Sequence, residues 1–131
     1  MSPGVEVPSR LRRWGAPLLP AAVIFMLSHR AGSDYPSVDL PGLDKVVHVA
    51  LYTPLGYTLH LATGGLMGRT LLLGGLYGLS DEWHQSFVPS RESSAGDVAA
   101  DLVGVGLGAW LRRRRTTHSR AIAARGTGVM E

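Results

Sequence analysis

The feature that most constrains this chain is a long segment without any charged side chain. Residues 46–68 include no Asp, Glu, Lys or Arg, so 23 consecutive residues are uncharged. At about 1.5 Å per residue, a helix of this length crosses a hydrocarbon layer roughly 30 Å thick. A second uncharged segment, residues 14–29, lies closer to the N-terminus. These segments predict a helical protein of the membrane.

Apolar segments occur four times along the chain and predict four helices. Pro41 and Gly42 precede the second segment, and Asp44 falls in the first turn of its helix, where a negative charge suits the helix dipole. We predict an all-α fold, an integral membrane bundle of about four transmembrane helices. The predicted spans are residues 14–30, 44–64, 69–88 and 95–111, between an N-terminal tail at residues 1–13 and a basic, flexible tail at residues 112–131.

The distribution of charge predicts an orientation and argues against nucleic acid as a partner. The formal net charge is +3, but the arginines cluster within residues 10–13 and 112–115, at the ends of apolar segments. They do not line a polar helix face interleaved with aromatics. With four spans these clusters and Arg69 share one side, which the positive-inside rule assigns to the cytoplasm. We expect a multi-pass protein of the cell membrane, with both termini cytoplasmic and membrane lipids as partners.

The apolar segments allow two other interpretations. The first segment could be a signal peptide, with the arginines at residues 10–13 as its basic region. However, the stretch "SHRAGSDY" that follows it contains no good small-x-small cleavage site. The chain could also be a soluble helical bundle with a very apolar core, since the third and fourth segments are short.

Polar side chains gather at the predicted non-cytoplasmic ends of the second, third and fourth helices. Asp44 and His48 are four residues apart, as are Asp97 and Asp101, so each pair shares a helix face. Glycines continue the polar faces of the third and fourth helices inward, and small residues let helices approach closely in lipid. An ionised carboxylate facing lipid costs about 2.5–3.5 kcal/mol, so we expect these faces to pack together. The candidate site residues are Asp44, His48, Glu82, Gln85, Arg91, Asp97 and Asp101.

The residue types of this cluster are compatible with three kinds of chemistry. They could be structural and hold the helices together through ion pairs, for instance Arg91 bidentate to Asp97 or Glu82. They could form an outward-facing pocket for a polar ligand, with a general acid/base pair in it. They could also bind a divalent metal, for which His48, Glu82 and Asp97 are the candidates. No cofactor is evident, because no metal motif is present and the chain contains no cysteine.

Several further residues are expected to have structural roles. His60 is expected to be an interior or interface histidine with a hydrogen-bond partner. The aromatic residues Trp14, Tyr52, Tyr57 and Trp110 are expected to act as interfacial anchors or in packing.

The polar residues and their order resemble the VanZ-like family of small bacterial integral membrane proteins. The matching segments are "DKVVHVALYTPLGY" and "YGLSDEWHQSFVPSRESSAGDVAADLVGVGLGAWL". The family pattern has an Asp-Lys-x-x-His block, a Glu-x-x-Gln block, an Arg, and an Asp followed four residues later usually by Asn. Asp101 stands in the place of that Asn, which adds a charge and changes the available hydrogen bonds. The other positions of the pattern fall on Asp44, Lys45, His48, Glu82, Gln85, Arg91 and Asp97.

The resemblance implies a protein of the cell envelope. The founding member of the family is associated with resistance to the glycopeptide antibiotic teicoplanin, and an outward-facing site suits lipid-linked or cell-wall precursors as partners. Three hypotheses follow: a non-enzymatic binding or envelope-modifying factor, a small membrane-embedded hydrolase or transferase, and a helical scaffold. In the enzyme hypothesis His48, Glu82 and Asp97 would supply the acid/base or metal residues.

Overall fold

The computed structural model describes residues 9–30, 32–34 and 40–126, and within these residues it contains helices and no strand. The predicted all-α fold is therefore confirmed. A single 3₁₀ turn, Gly32–Asp34, follows the second helix. The α-helices are α1 (Arg10–Gly15), α2 (Leu18–Ser28), α3 (Leu43–Ala62), α4 (Met67–Gln85) and α5 (Ala95–Gly126).

The turn between α3 and α4 makes these two helices antiparallel. Gly64 and Gly65 have φ angles of +71° and +85°, which residues with a Cβ rarely adopt. The N–H of Gly65 donates to the carbonyl oxygen of His60 at 2.8 Å and closes the end of α3. The beginning of α3 and the end of α4 consequently lie at the same end of the bundle.

The packing of α5 against α3 is the most extensive helix contact, and it depends on glycine. A Cβ atom at Gly108 would collide with the carbonyl oxygen of Thr53, and one at Gly56 would collide with the backbone of Val105. Gly104 is buried against α3 in the same way. The two backbones therefore approach more closely than larger side chains would allow, as the glycine spacing of the fourth segment predicts.

Charge and apolar surface are separated along the bundle. A small core of Ile24, Tyr52, Leu55, Leu59 and Val105 holds the helices together. At the end where α3 finishes and α4 begins, the arginines of α1 lie beside residues 62–64 and 69. The guanidinium of Arg112 also reaches this end and donates to the Tyr57 hydroxyl at 3.4 Å. The basic clusters thus share one end, opposite to the carboxylates described below.

The helices depart from the predicted spans in two places. The span predicted at residues 14–30 is two helices, because Pro17 has no N–H and interrupts the hydrogen-bond ladder. Residues 112–126, predicted as flexible tail, continue α5, because residues 112–125 contain no Pro or Gly and Ala and Arg favour helix. Residues 1–8 and 127–131 of the predicted tails lie outside the described part of the chain.

None of the described helices is both long enough and apolar enough to cross a bilayer.

Candidate functional site

Three helix ends and one loop bring the polar side chains together. The loop at residues 86–94 returns the chain from α4 to α5, as its turn-rich sequence predicts. Its last residue, Ser94, donates its backbone N–H to Oε2 of Glu82 at 3.1 Å, which ties the start of α5 to the end of α4. Lys45, in the first turns of α3, reaches the start of α5 as well. The structure thus brings the beginnings of α3 and α5 together with the end of α4.

His48 lies at the centre of the acidic side chains. Its Nδ1–H donates to Oδ1 of Asp101 at 2.7 Å, and the same nitrogen is 4.0 Å from Oε1 of Glu82. On the other side of the ring, Nε2 lies 3.9 Å from Oδ1 of Asp97. One imidazole from α3 therefore faces carboxylates from both α4 and α5.

Lys45 neutralises the carboxylates at the outer edge of the cluster. Its ammonium group lies 2.6 Å from Oδ2 of Asp44 and 2.5 Å from Oδ1 of Asp97. Ser94 donates its hydroxyl to the other oxygen of Asp97 at 2.8 Å. Asp97, which the sequence suggested as a metal ligand, is thus bound by a lysine and a serine.

Arg91 has a different position from the one predicted. The sequence suggested a bidentate pair with Asp97 or Glu82, but the cation on Asp97 is Lys45. The Arg91 guanidinium donates to the carbonyl oxygen of Leu27 at 3.3 Å and lines the cavity beside α2. Its role there is to place a positive charge at the cavity and to attach the loop to the end of α2.

A second polar group surrounds Asp81, which is not among the predicted site residues, and includes Gln85, which is. Its Oδ2 accepts hydrogen bonds from the hydroxyl of Ser28 at 2.9 Å, from Tyr52 at 3.2 Å and from the Gln85 amide at 3.1 Å. Asp81 and Gln85 are four residues apart on α4, so their spacing could have revealed the pair. No local pattern points to Ser28, because it comes from a helix 53 residues earlier in the chain.

Tyr52 and His60 are both buried, and both have hydrogen-bond partners. Tyr52 is 1% exposed and packs in the core, so the packing role expected of it is confirmed and an interfacial position is not observed. His60 has its Nδ1 atom 3.1 Å from the hydroxyl of Thr70, as expected for an interior histidine.

A cavity of about 490 Å³ opens between α2, α3 and α4 beside these groups. One part of its wall is polar and the other is aliphatic, so it could accommodate a molecule with a polar head and an apolar chain. His48 lines the cavity, whereas Glu82, Asp97 and Asp101 lie behind its ring. The polar wall is formed by Ser28, Asp44, His48, Tyr52, Asp81, Gln85 and Arg91, and the apolar wall by Ile24, Leu27, Leu40, Leu43, Val47 and Leu51.

Two buried carboxylate oxygens accept no hydrogen bond from the described residues. They are Oε1 of Glu82 and Oδ2 of Asp101, on residues that are 6% and 0% exposed. The carboxylate of Asp101 lies over Gly78 of α4, where a Cβ atom would come within 2.9 Å of Oδ2. Among the described residues, one group of His, Asp and Glu side chains could hold a metal ion: His48, Glu82 and Asp101, whose ligand atoms all lie within 4.8 Å of one another.

Comparison with protein families identifies the family of this chain. No curated protein and no solved structure matched the chain. The model of the VanZ/LLP1 family matches residues 7–115, which include all five helices up to the arginines of α5 and every residue of the site. The protein therefore belongs to the VanZ/LLP1 family.

Proposed function

We propose that this protein is a multi-pass protein of the bacterial cell membrane whose outward-facing end binds an amphiphilic molecule of the cell envelope. The observation that carries this proposal is the cavity beside His48, which combines polar and aliphatic walls. A lipid-linked cell-wall precursor is the ligand class that suits it best, since such a molecule joins a charged, sugar-bearing head to a hydrocarbon chain.

The membrane location is supported by the outer surface of the bundle. Large apolar side chains on the sides of the helices are exposed, among them Leu18 at 68%, Leu72 at 62% and Val103 at 61%. A soluble protein rarely exposes so much apolar surface. At the basic end, the Arg114 guanidinium lies 4.3 Å from the ring centre of Trp110, a pairing suited to the boundary between lipid and water. The acidic end would then face outward under the positive-inside rule.

The ligand class is supported by the chemistry of the cavity wall. Arg91 offers a guanidinium, which binds phosphate oxygens well because its N–H groups match their geometry. Asp44 and Gln85 offer acceptors and donors of the kind that hold sugar hydroxyls and peptide groups. Leu27 and Leu51 supply the apolar wall along which a hydrocarbon chain would lie. In this proposal, binding at the outer surface contributes to modification of the envelope or to resistance against a teicoplanin-type glycopeptide.

A catalytic role is the second candidate function. It is favoured by the hydrogen bond from His48 to Asp101, since a buried carboxylate that orients an imidazole is a common arrangement in proton transfer. The protein would then be a hydrolase or transferase acting on the same class of lipid-linked or cell-wall substrate. Turnover of such a substrate by the purified protein, lost in His48→Gln, would distinguish this role from binding alone.

Binding of a polyprenyl-diphosphate-linked cell-wall precursor to the purified protein in lipid nanodiscs tests the proposal. We expect saturable binding that Arg91→Gln weakens by about tenfold or more, as loss of a charged hydrogen bond predicts. Arg30→Gln is the matched control, since it makes the same change at an exposed arginine that does not line the cavity. No saturable binding by the wild type, or an equal loss in the control, would contradict the proposal.

A further inference from the structure

We infer that His48, Glu82 and Asp101 form a binding site for one divalent transition-metal ion of the Zn²⁺ type. This site lies behind the cavity and is argued independently of the ligand proposed above. Each of the three residues comes from a different helix, α3, α4 and α5. One imidazole nitrogen and two carboxylates are ligands that Zn²⁺ accepts in proteins.

The present distances are close to those of a coordinated ion. Nδ1 of His48 is 2.7 Å from Oδ1 of Asp101 and 4.0 Å from Oε1 of Glu82. Around an ion with bonds of about 2.0–2.2 Å in tetrahedral geometry, ligand atoms lie about 3.4 Å apart. The two observed separations lie on either side of this value, and the ligand atoms of all three residues lie within 4.8 Å of one another, so small side-chain movements would complete the site. The ion would replace the proton on Nδ1.

The unpartnered oxygens are the second observation that points to a cation. Oε1 of Glu82 and Oδ2 of Asp101 are buried and accept no hydrogen bond from the described residues. Buried carboxylates are normally fully hydrogen-bonded, ion-paired or bound to a metal. Oε1 of Glu82 faces His48, and the carboxylate of Asp101 is aimed at α4 over Gly78, so both side chains point into the space between the helices.

The neighbouring carboxylates have partners of their own, so the charges of Glu82 and Asp101 are the ones that a divalent ion would balance. Asp44 and Asp97 are both ion-paired with Lys45, and Asp97 also accepts a hydrogen bond from the Ser94 hydroxyl. Asp81 has three donors of its own. Two carboxylates with a neutral imidazole carry a charge of −2, which one divalent ion would balance.

The ligand set selects the class of metal. A nitrogen ligand disfavours Mg²⁺ and Ca²⁺, which prefer oxygen alone, whereas Zn²⁺ and related ions accept imidazole and carboxylate together. Three protein ligands leave a fourth position for water or another molecule. A shallow depression lined by Glu82, Ser93 and Ser94 offers a path for the ion from the surface.

Metal binding by the full chain, purified in detergent with any affinity tag removed, tests this inference. The probe is Zn²⁺ alone, titrated against a chelating dye, with elemental analysis for stoichiometry. We expect one equivalent per chain, and an affinity lowered at least about tenfold in Glu82→Gln and in Asp101→Asn. Zn²⁺ should also raise the melting temperature of the wild type and leave that of Asp101→Asn unchanged, because only the protein that binds the ion is stabilised.

Two controls address binding at other places. Glu92→Gln makes the same chemical change as Glu82→Gln in the adjoining loop, and it should bind Zn²⁺ as the wild type does. His84→Gln removes one ring of the exposed pair in which His29 Nδ1 and His84 Nε2 are 3.2 Å apart, and it should also retain binding. The inference is overturned if folded wild type binds no more Zn²⁺ than Asp101→Asn, or if either control loses as much affinity as Glu82→Gln.

Discussion

His48 and Asp101 are joined by a hydrogen bond of 2.7 Å, although they are 53 residues apart in the chain. The bond connects α3 to α5 directly beside the contact that glycines make possible between the two helices. The same α3–α5 interface therefore contains a polar pair, His48 and Asp101, and a close backbone contact between the two helices. The predictions that follow separate the contribution of each to folding and to function.

Asp101→Asn should leave the protein folded. The amide keeps an oxygen that can accept from His48, and it removes a buried charge whose Oδ2 has no protein donor among the described residues. We expect the free energy of unfolding without metal to change by less than about 1 kcal/mol, or to rise. Thermal melting in detergent, followed by circular dichroism, measures this. A large loss of stability would show that the charge itself holds α3 to α5.

Gly108→Ala should destabilise the bundle. The added methyl group would collide with the carbonyl oxygen of Thr53, which belongs to a helix backbone and cannot rotate away. We expect a loss of about 1–3 kcal/mol in the free energy of unfolding, measured with denaturant in detergent. Gly68→Ala is the matched control, because this glycine of α4 has no neighbouring atom within 4 Å of the added Cβ. The control should be as stable as the wild type or gain up to about 1 kcal/mol.

Asp81→Ala should destabilise the protein more than Tyr52→Phe does. The alanine leaves Ser28, Tyr52 and Gln85 without their shared acceptor, whereas the phenylalanine removes a single donor. We expect losses of about 2–4 kcal/mol and about 1 kcal/mol respectively, from the cost of unsatisfied buried polar groups. Asp34→Ala, a change at an exposed aspartate, serves as the control. Equal melting temperatures for all three variants would contradict a structural role for Asp81.

Cysteine labelling should distinguish the two ends of the bundle across the membrane. The chain contains no cysteine, so Ser93→Cys at the carboxylate end and His118→Cys at the arginine end each introduce a single thiol. A membrane-impermeant maleimide applied to intact cells should label the cysteine at residue 93 and leave that at residue 118 unlabelled until the membrane is permeabilised. The reverse pattern would invert the proposed orientation, and labelling of both positions would contradict the proposed spanning arrangement.

The local features of the fold could be predicted from the sequence. Uncharged segments and the Pro41–Gly42 pair indicate where α3 begins, and the polar loop at residues 86–94 separates α4 from α5. Helical spacing assigns Asp97 and Asp101 to one face. These features depend on residues within a few turns of each other, so a single sequence contains the information. Two local features were nevertheless predicted wrongly. Hydrophobicity predicted one helix where Pro17 separates α1 from α2, and α5 continues through the arginines that were expected to belong to a flexible tail.

Only the tertiary structure decided which polar groups are partners. The sequence suggested Arg91 as the partner of Asp97 or Glu82. Because α3 packs beside α5, the cation that contacts Asp97 is instead Lys45, and Arg91 donates to the carbonyl oxygen of Leu27. Asp81 has its partners on α2 and α3 as well as on α4. Such pairs depend on how each helix is rotated about its own axis and how closely glycine lets the backbones approach. The spacing of residues in the sequence therefore predicts the helix face on which a residue lies, whereas the packing of the helices determines which residues that face contacts.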